Sequence, residues 1–128
     1  MATPRLYRVV IQVSSVEQAA RYYAALFGAE GRRVSPGRHY FDVGGVVLAC
    51  FDPRADGDDF DAAPAADHVY FAVADLEAVH DRASVGHGAD GGAPTPITTM
   101  PWGERSFYVT DPFGNPLCFV DEGTVFTG

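Results

Sequence analysis

The sequence predicts an α+β domain built from two modules, each ordered strand, helix, strand, strand, strand. Three observations carry this expectation. The stretch Arg8 to Glu17 lines up with His68 to Glu77 at an offset of 60 residues, with Val9, Val13 and Glu17 matched by Val69, Val73 and Glu77. Within each repeat the apolar period switches from two, the signature of a half-buried strand, to the 3.6 of an amphipathic helix. Finally, Gly45 to Cys50 (GVVLAC) echoes Gly114 to Phe119 (GNPLCF), so the closing strands repeat as well. A β-rich module of this kind buries one sheet face under its helix and leaves the other for a partner or a ligand.

The elements follow in order. Arg5 to Val13 reads as a strand, with Val9, Ile11 and Val13 alternating against Arg8, Val10 and Gln12. Ser14 or Ser15 caps a helix over Val16 to Phe27, whose Val16, Ala19, Ala20, Tyr23, Leu26 and Phe27 form one apolar face, and Gly28 ends it. Arg32 to Val34 forms a short strand, Ser35-Pro36-Gly37 a turn, and Arg38 to Val43 and Val46 to Phe51 a hairpin across Gly44-Gly45. The acidic stretch from Asp52 to Asp67 has no useful periodicity and reads as a solvated connection; its spacing does not fit a calcium loop. His68 to Val73 is the next strand, Asp75 caps a helix from Leu76 to about Val85, and Gly86 to Pro96 is a loop before Ile97 to Met100 re-enters the sheet. Glu104 to Thr110 and Pro116 to Asp121 flank the turn Asp111-Pro112-Phe113-Gly114-Asn115, in which Pro112 presets φ and Asp111 and Asn115 can bond their own backbone. The division expected is module one over 5–52, an acidic linker over 53–67, module two over 68–122 and a tail over 123–128.

Composition narrows the partners. A single domain is expected at 128 residues. A net charge of −8 and a pI near 4.7 disfavour nucleic acid and anionic membrane surfaces. No apolar run approaches the roughly 20 residues of a membrane span, and the first residues lack a secretory pattern, so a cytoplasmic protein is expected. Cys50 and Cys118 do not form a Cys-x-x-Cys pair and are expected to be reduced.

The repeated β-α-β-β-β order, the strand ending Val73-Ala-Asp75-Leu76-Glu77 and the turn Asp111 to Asn115 together resemble the vicinal oxygen chelate superfamily, which includes glyoxalase I, bleomycin-resistance proteins and extradiol dioxygenases. The resemblance spans Arg5 to Asp121. It implies two modules forming an incomplete eight-stranded mixed β-barrel around a cavity, and a homodimer that completes the cavity between subunits. Metal enzymes of this family hold a divalent ion with side chains from the first and last strand of each module. Those positions fall here on Arg8, on Ala49 or Cys50, on His68 and on Cys118. A guanidinium has no lone pair to donate, so only His68 is a family-type ligand, and no cofactor is expected. A divalent metal stays the alternative, with Gln12, His39 or Glu104 supplying ligands.

Strand alternation then sorts the side chains. Arg8, Val10, Gln12, His68, Tyr70 and Ala72 face the cavity, joined by Ala49, Phe51, Cys118 and Val120. Trp102 lies at the rim. One of Phe107 and Tyr108 faces inward. The ligand-contacting set expected is Arg8, Val10, Gln12, His39, Phe51, His68, Tyr70, Trp102, Tyr108 and Cys118. Arg8 either binds a carboxylate, enolate or phenolate oxygen or closes an internal ion pair. His68 either contacts ligand and moves protons or is a satisfied strand histidine. Cys118 is either a packed side chain or a nucleophile. His80 and His87 receive no role. The ligand expected is a small aromatic or antibiotic-like molecule, bound or sequestered without metal as in bleomycin-resistance proteins. A metal-dependent lyase, isomerase or dioxygenase, and a metal-free enzyme using Arg8 and His68, are the alternatives.

Overall fold

A computed structural model describes residues 2–86 and 92–128. His87 and the middle of the loop expected over 86–96 lie outside the described residues. The elements are β1 (Arg8–Gln12), α1 (Val16–Phe27), β2 (Arg32–Ser35), β3 (Arg38–Val43), β4 (Val46–Phe51), β5 (Val69–Val73), α2 (Leu76–Gly86), β6 (Thr98–Thr99), β7 (Arg105–Thr110) and β8 (Pro116–Asp121). They form two four-stranded sheets of matching order, β1-β4-β3-β2 and β5-β8-β7-β6. In each sheet the first strand pairs with the last in parallel and the other neighbours are antiparallel. This is the α+β fold of two repeated modules, with the sheets not closed into a barrel.

Local chemistry explains the boundaries. Ser15 accepts a hydrogen bond from the Gln18 N–H and caps α1, while Gly28 takes φ 68° and returns its N–H to the Ala24 carbonyl. Asp75 caps α2 through the Ala78 N–H at 3.1 Å. Gly44 and Gly45, at φ 59° and 84°, make the two-residue turn between β3 and β4, where both central residues need positive φ.

The core fills the space between the helices and the facing sides of both sheets. Val16, Ala19, Tyr23 and Leu26 of α1 are buried, as are Leu76, Val79 and Ala83 of α2. Phe107, Phe119 and Phe71 stack in series with centroids 5.3 and 5.0 Å apart, and Phe27 joins Phe71 to Phe41 at 5.4 and 5.5 Å. This aromatic chain crosses from one module to the other.

Polar groups also join the modules. The Tyr23 hydroxyl donates to Asp111 Oδ2 at 2.6 Å. Asn115, fully buried, donates to the Gln12 carbonyl and to Asp111 Oδ2, each at 2.9 Å, and accepts from the Ala65 N–H at 2.8 Å. The turn that reads locally as a hairpin loop is thus the fastening point of β1.

The acidic segment after β4 departs from a free connection. Pro53 is buried, the Asp52 N–H donates to the Gly37 carbonyl, and the Asp56 carboxylate accepts from Ser35 Oγ and the Gly37 N–H. Further on, Phe60 packs on Phe51 with centroids 6.5 Å apart, and the Ala63 N–H donates to Gln12 Oε1 at 2.9 Å. Asp56 finds donors on β2, β3 and the turn between them, and the backbone of Ala63 donates to the Gln12 amide of β1, so the segment lies along sheet one. No helix among the described residues is long and apolar enough to cross a membrane.

Candidate functional site

The side of each sheet away from the helices carries the polar chemistry. On sheet one, Arg8, Val10 and Gln12 stand in register with Val47, Ala49 and Phe51, and through β4 with Asp42, Tyr40 and Arg38. Arg8 donates from Nη1 to the Tyr40 hydroxyl at 2.9 Å and from Nη2 to the Tyr7 hydroxyl at 2.7 Å. Its guanidinium carbon lies 5.0 and 5.9 Å from the two ring centroids. Arg38 also donates to the Tyr40 oxygen, at 3.3 Å, and covers the Phe51 ring at 4.3 Å.

The internal ion pair considered for Arg8 is not formed: among the described residues no carboxylate pairs with it, whereas Arg32, Arg33 and Arg38 each have one and Arg54 and Arg105 each have two. The hydrogen bonds to Tyr7 and then Tyr40 raise the Arg8 pKa further, so its charge is permanent. Desolvation pushes the Tyr40 phenol upward, but the hydrogen bonds from Arg8 and Arg38 outweigh it and leave the pKa below its ordinary value. Because both phenol oxygens already accept from guanidinium groups, their protons remain to be donated. The cluster therefore presents donors and positive charge with no acceptor between them.

On sheet two, Tyr70 and Ala72 stand in register with Cys118 and Val120, which face Tyr108 and Ser106 across β7. The His68 ring lies 5.0 Å from Tyr108 and 6.2 Å from Tyr70. Tyr108 takes the open side, while Phe107 is fully buried among core aromatics. Burial pushes the Cys118 thiol up to about 11, with smaller opposing effects from Ser106 and Tyr108, so it is a neutral thiol near pH 7 and suited to packing rather than attack. Desolvation, then Cys118, raises the Tyr108 phenol.

Not every expected residue joins these faces. His39 turns to the helix side: it is buried, its ring lies 5.0 Å from Phe41, and Nε2 donates to the Glu30 carbonyl at 2.9 Å. That corrects its expected place among ligand-contacting residues. The carbonyl takes one ring nitrogen while Nδ1 is buried without a partner among the described residues, and the neighbouring Tyr40 faces outward. The alternation with buried Phe41 carried that information. Phe51 is on the open side but lies under Arg38 and Phe60, and the Gln12 amide oxygen is taken by Ala63. Among the contacts described, Arg8 keeps company with Tyr7, Tyr40 and Arg38, and His68 with Tyr70 and Tyr108; no contact joins the two groups within one chain.

Two cavities border these faces. One of about 460 Å³ lies over sheet two against Tyr70, Ala72, Val120, Trp102, Glu104 and Phe126. The other, about 480 Å³, opens between the modules and is walled mainly by aliphatic groups such as Val9, Leu48, Val69 and Val79. Of the residues singled out for binding, only Tyr70 reaches it.

The model of the Glyoxalase/Bleomycin resistance protein/Dioxygenase superfamily matches residues 5–119. The chain belongs to this superfamily. Its fold is similar to that of a glyoxalase-related enzyme from Fulvimarina pelagi, with TM-score 0.76 and 20% identity over 98% of this chain and 94% of that one. It is also similar to lactoylglutathione lyase from Agrobacterium tumefaciens, with TM-score 0.73 and 19% identity over 94% and 96% of the two chains. A glyoxalase/bleomycin resistance protein from Albidiferax ferrireducens T118 gives TM-score 0.74 and 20% identity, covering 91% of this chain and 97% of that one. These likenesses establish the fold. No curated protein matches the sequence.

The superfamily's metal chemistry meets a poor donor set here. Arg8 and Ala49 supply no donor atom, and Cys118 is a neutral, buried thiol. Of the alternative ligands, His39 faces the other way, and Glu104 is bound to Trp102 and to the backbone of Phe126. Among the described residues no three His, Cys, Asp or Glu side chains gather in a way that holds a metal ion.

Proposed function

We propose that this protein binds a small planar or partly apolar molecule carrying an anionic oxygen, without a resident metal, in the manner of the bleomycin-resistance branch of its superfamily. The observation that carries this reading is Arg8: a permanent cation on an open sheet face, oriented by two phenols and, among the described residues, lacking a carboxylate partner. A carboxylate, enolate or phenolate oxygen of a ligand receives the remaining guanidinium N–H groups and the phenolic protons of Tyr7 and Tyr40. The arginine fork thus occupies the place where metal enzymes of the superfamily put a cation. His68, Tyr70 and Tyr108 supply an aromatic second wall.

The two walls belong to different sheets. A homodimer that sets sheet one of one subunit against sheet two of the other completes the cavity, and in that assembly Arg8 and His68 face one ligand. Release or sequestration needs no chemistry from either. The test is calorimetric titration of matched pairs, an aromatic carboxylate and its neutral amide, against wild type and Arg8→Gln, with and without chelator. Binding of the carboxylate alone, insensitive to chelator and lost in the variant, is the expected result. Equal binding of acid and amide, or binding abolished by chelator, overturns the reading.

A further inference from the structure

The cavity over sheet two has one wall that does not come from the sheet. Trp102 precedes β7, and Val125 and Phe126 follow β8 and its short 3-10 turn (Glu122–Thr124). All three are apolar and all are substantially exposed, at 52%, 43% and 57%. Burial therefore does not hold them in place. Polar bonds hold Trp102 and Phe126, and they converge on one side chain. Glu104 Oε1 accepts from the Trp102 indole N–H at 2.8 Å, and Oε2 accepts from the Phe126 backbone N–H at 2.9 Å. No arginine or lysine pairs with Glu104 among the described residues.

The approach of the segment is fixed just upstream. Asp121 Oδ1 accepts from the Gly123 N–H at 3.0 Å and its carboxylate pairs with Arg105 at 2.9 Å. Thr124 Oγ1 donates to the Asp121 carbonyl and accepts from the Arg105 N–H. The chain leaving β8 is thereby turned back across the start of β7, which delivers Phe126 to Glu104. Opposite stands Tyr70, 64% exposed, with Ala72 and Val120 as floor. Beside Val120, Ser106 Oγ is buried with no well-aligned hydrogen-bond partner.

The geometry points to a second subsite: Glu104 is a positioning residue that pins Trp102 and Phe126 as two walls of a ring-binding pocket over sheet two, and the pocket takes an uncharged or cationic aryl group. Four aromatic residues, Tyr70, Phe71, Trp102 and Phe126, around a cavity of about 460 Å³ suit a planar ring by stacking and edge contacts. Among the described residues the one charged group lining it is the Glu104 carboxylate, which repels an anion and favours an N–H or ammonium hydrogen. This inference rests on the small-molecule-binding reading and sharpens it: the anionic end of the ligand goes to Arg8 and the ring end to Trp102. The exposed aromatic groups do not need a second subunit to become a pocket, because the chain folds its own segment over them.

Trp102 is the single tryptophan, so its indole N–H gives one resolved signal in a nitrogen-15 correlation spectrum. The probes share a ring and differ in charge: benzyl alcohol, benzylamine and benzoate. In wild type, benzyl alcohol and benzylamine should move the indole signal and benzoate should not. In Glu104→Gln, and in a chain stopped after Gly123, those movements should be lost while the rest of the spectrum keeps its dispersion. In Arg8→Gln they should persist. Unchanged ring-induced shifts in both Glu104→Gln and the shortened chain overturn the pocket wall and leave the Arg8 reading standing. An indole signal that no ring moves, together with a dimer that dissociates when Glu104 or the segment is altered, also overturns it and assigns the aromatic face to a second copy of the chain. Benzoate that perturbs nothing near Tyr40, with ring shifts intact, instead removes the Arg8 reading.

Discussion

Replacing Asn115 by alanine tests whether the turn before β8 fastens the two modules. The side chain is fully buried and makes three bonds: to the Gln12 carbonyl, to Asp111 Oδ2 and from the Ala65 N–H. The substitution removes all three and leaves the Gln12 carbonyl and the Ala65 N–H without those partners. At about 1 kcal/mol net for each bond, with more where a group is left buried and unsatisfied, the expected loss is about 3–4 kcal/mol. That is a large share of the roughly 5–15 kcal/mol of a domain. Urea unfolding followed by far-ultraviolet circular dichroism reads it: with a slope of about 1.5 kcal/mol per molar, the midpoint falls by about 2 M. Asn115→Asp separates fastening from shape. It keeps the acceptor for Ala65 but puts a second carboxylate against Asp111 and the Gln12 carbonyl, so it should destabilise at neutral pH and recover as acid protonates it. A loss below about 1 kcal/mol in the alanine variant, or an aspartate variant as stable as wild type at pH 7, refutes the reasoning.

Other expectations follow from the same contacts. Tyr23→Phe removes the 2.6 Å bond to Asp111 from a buried site and should cost about 1.5–3 kcal/mol in the same urea assay; an unchanged midpoint contradicts the bond's importance. In an ultraviolet titration, Tyr40 should ionise below the ordinary tyrosine value and Tyr108 above it, with Tyr23 and Tyr22 ionising last. Burial raises Tyr23 and Tyr22 above their unfolded pKa, so their contribution is full below about pH 10 and is lost as pH rises through the folded values; a Tyr40→Phe variant that keeps the earliest step refutes the assignment. Burial holds the Cys50 thiol up at about 12 and the Cys118 thiol at about 11, so a thiol-specific disulfide reagent at pH 8 should react slowly with native protein and with both cysteines in urea. Rapid native labelling of Cys118 restores the nucleophile reading.

Much of this architecture is legible in the chain. The span of α1, its Ser15 cap and the left-handed Gly28 are local events set by neighbouring residues. The alternation in β1 and β5 correctly separates Arg8, Val10, Tyr70 and Ala72 from Ile11, Val13 and Phe71. Strand β3 fails the same test because its polar residue finds a partner: the Glu30 carbonyl lets His39 enter the core, and Tyr40 takes the outer side. Phe107 and Tyr108 could not be told apart by polarity, since either ring fits a half-buried strand. The packing of Phe119 against Phe107 decides. The acidic segment has no period because its partners, Gly37, Gln12 and Asn115, lie far off in sequence.

By itself, then, the sequence determined the repeat, the elements and the superfamily. Those depend on short-range preferences and on residue identity. Only the tertiary structure decided what Arg8 meets. Its phenolic partners come from the residue beside it and from a strand 32 positions away, and among the described residues no carboxylate pairs with it. Likewise Glu104 joins Trp102 to Phe126, 22 positions on, through a chain reversal that no local pattern encodes. Which charge is left free is a property of all the distances at once, and it is the free charge that makes a site.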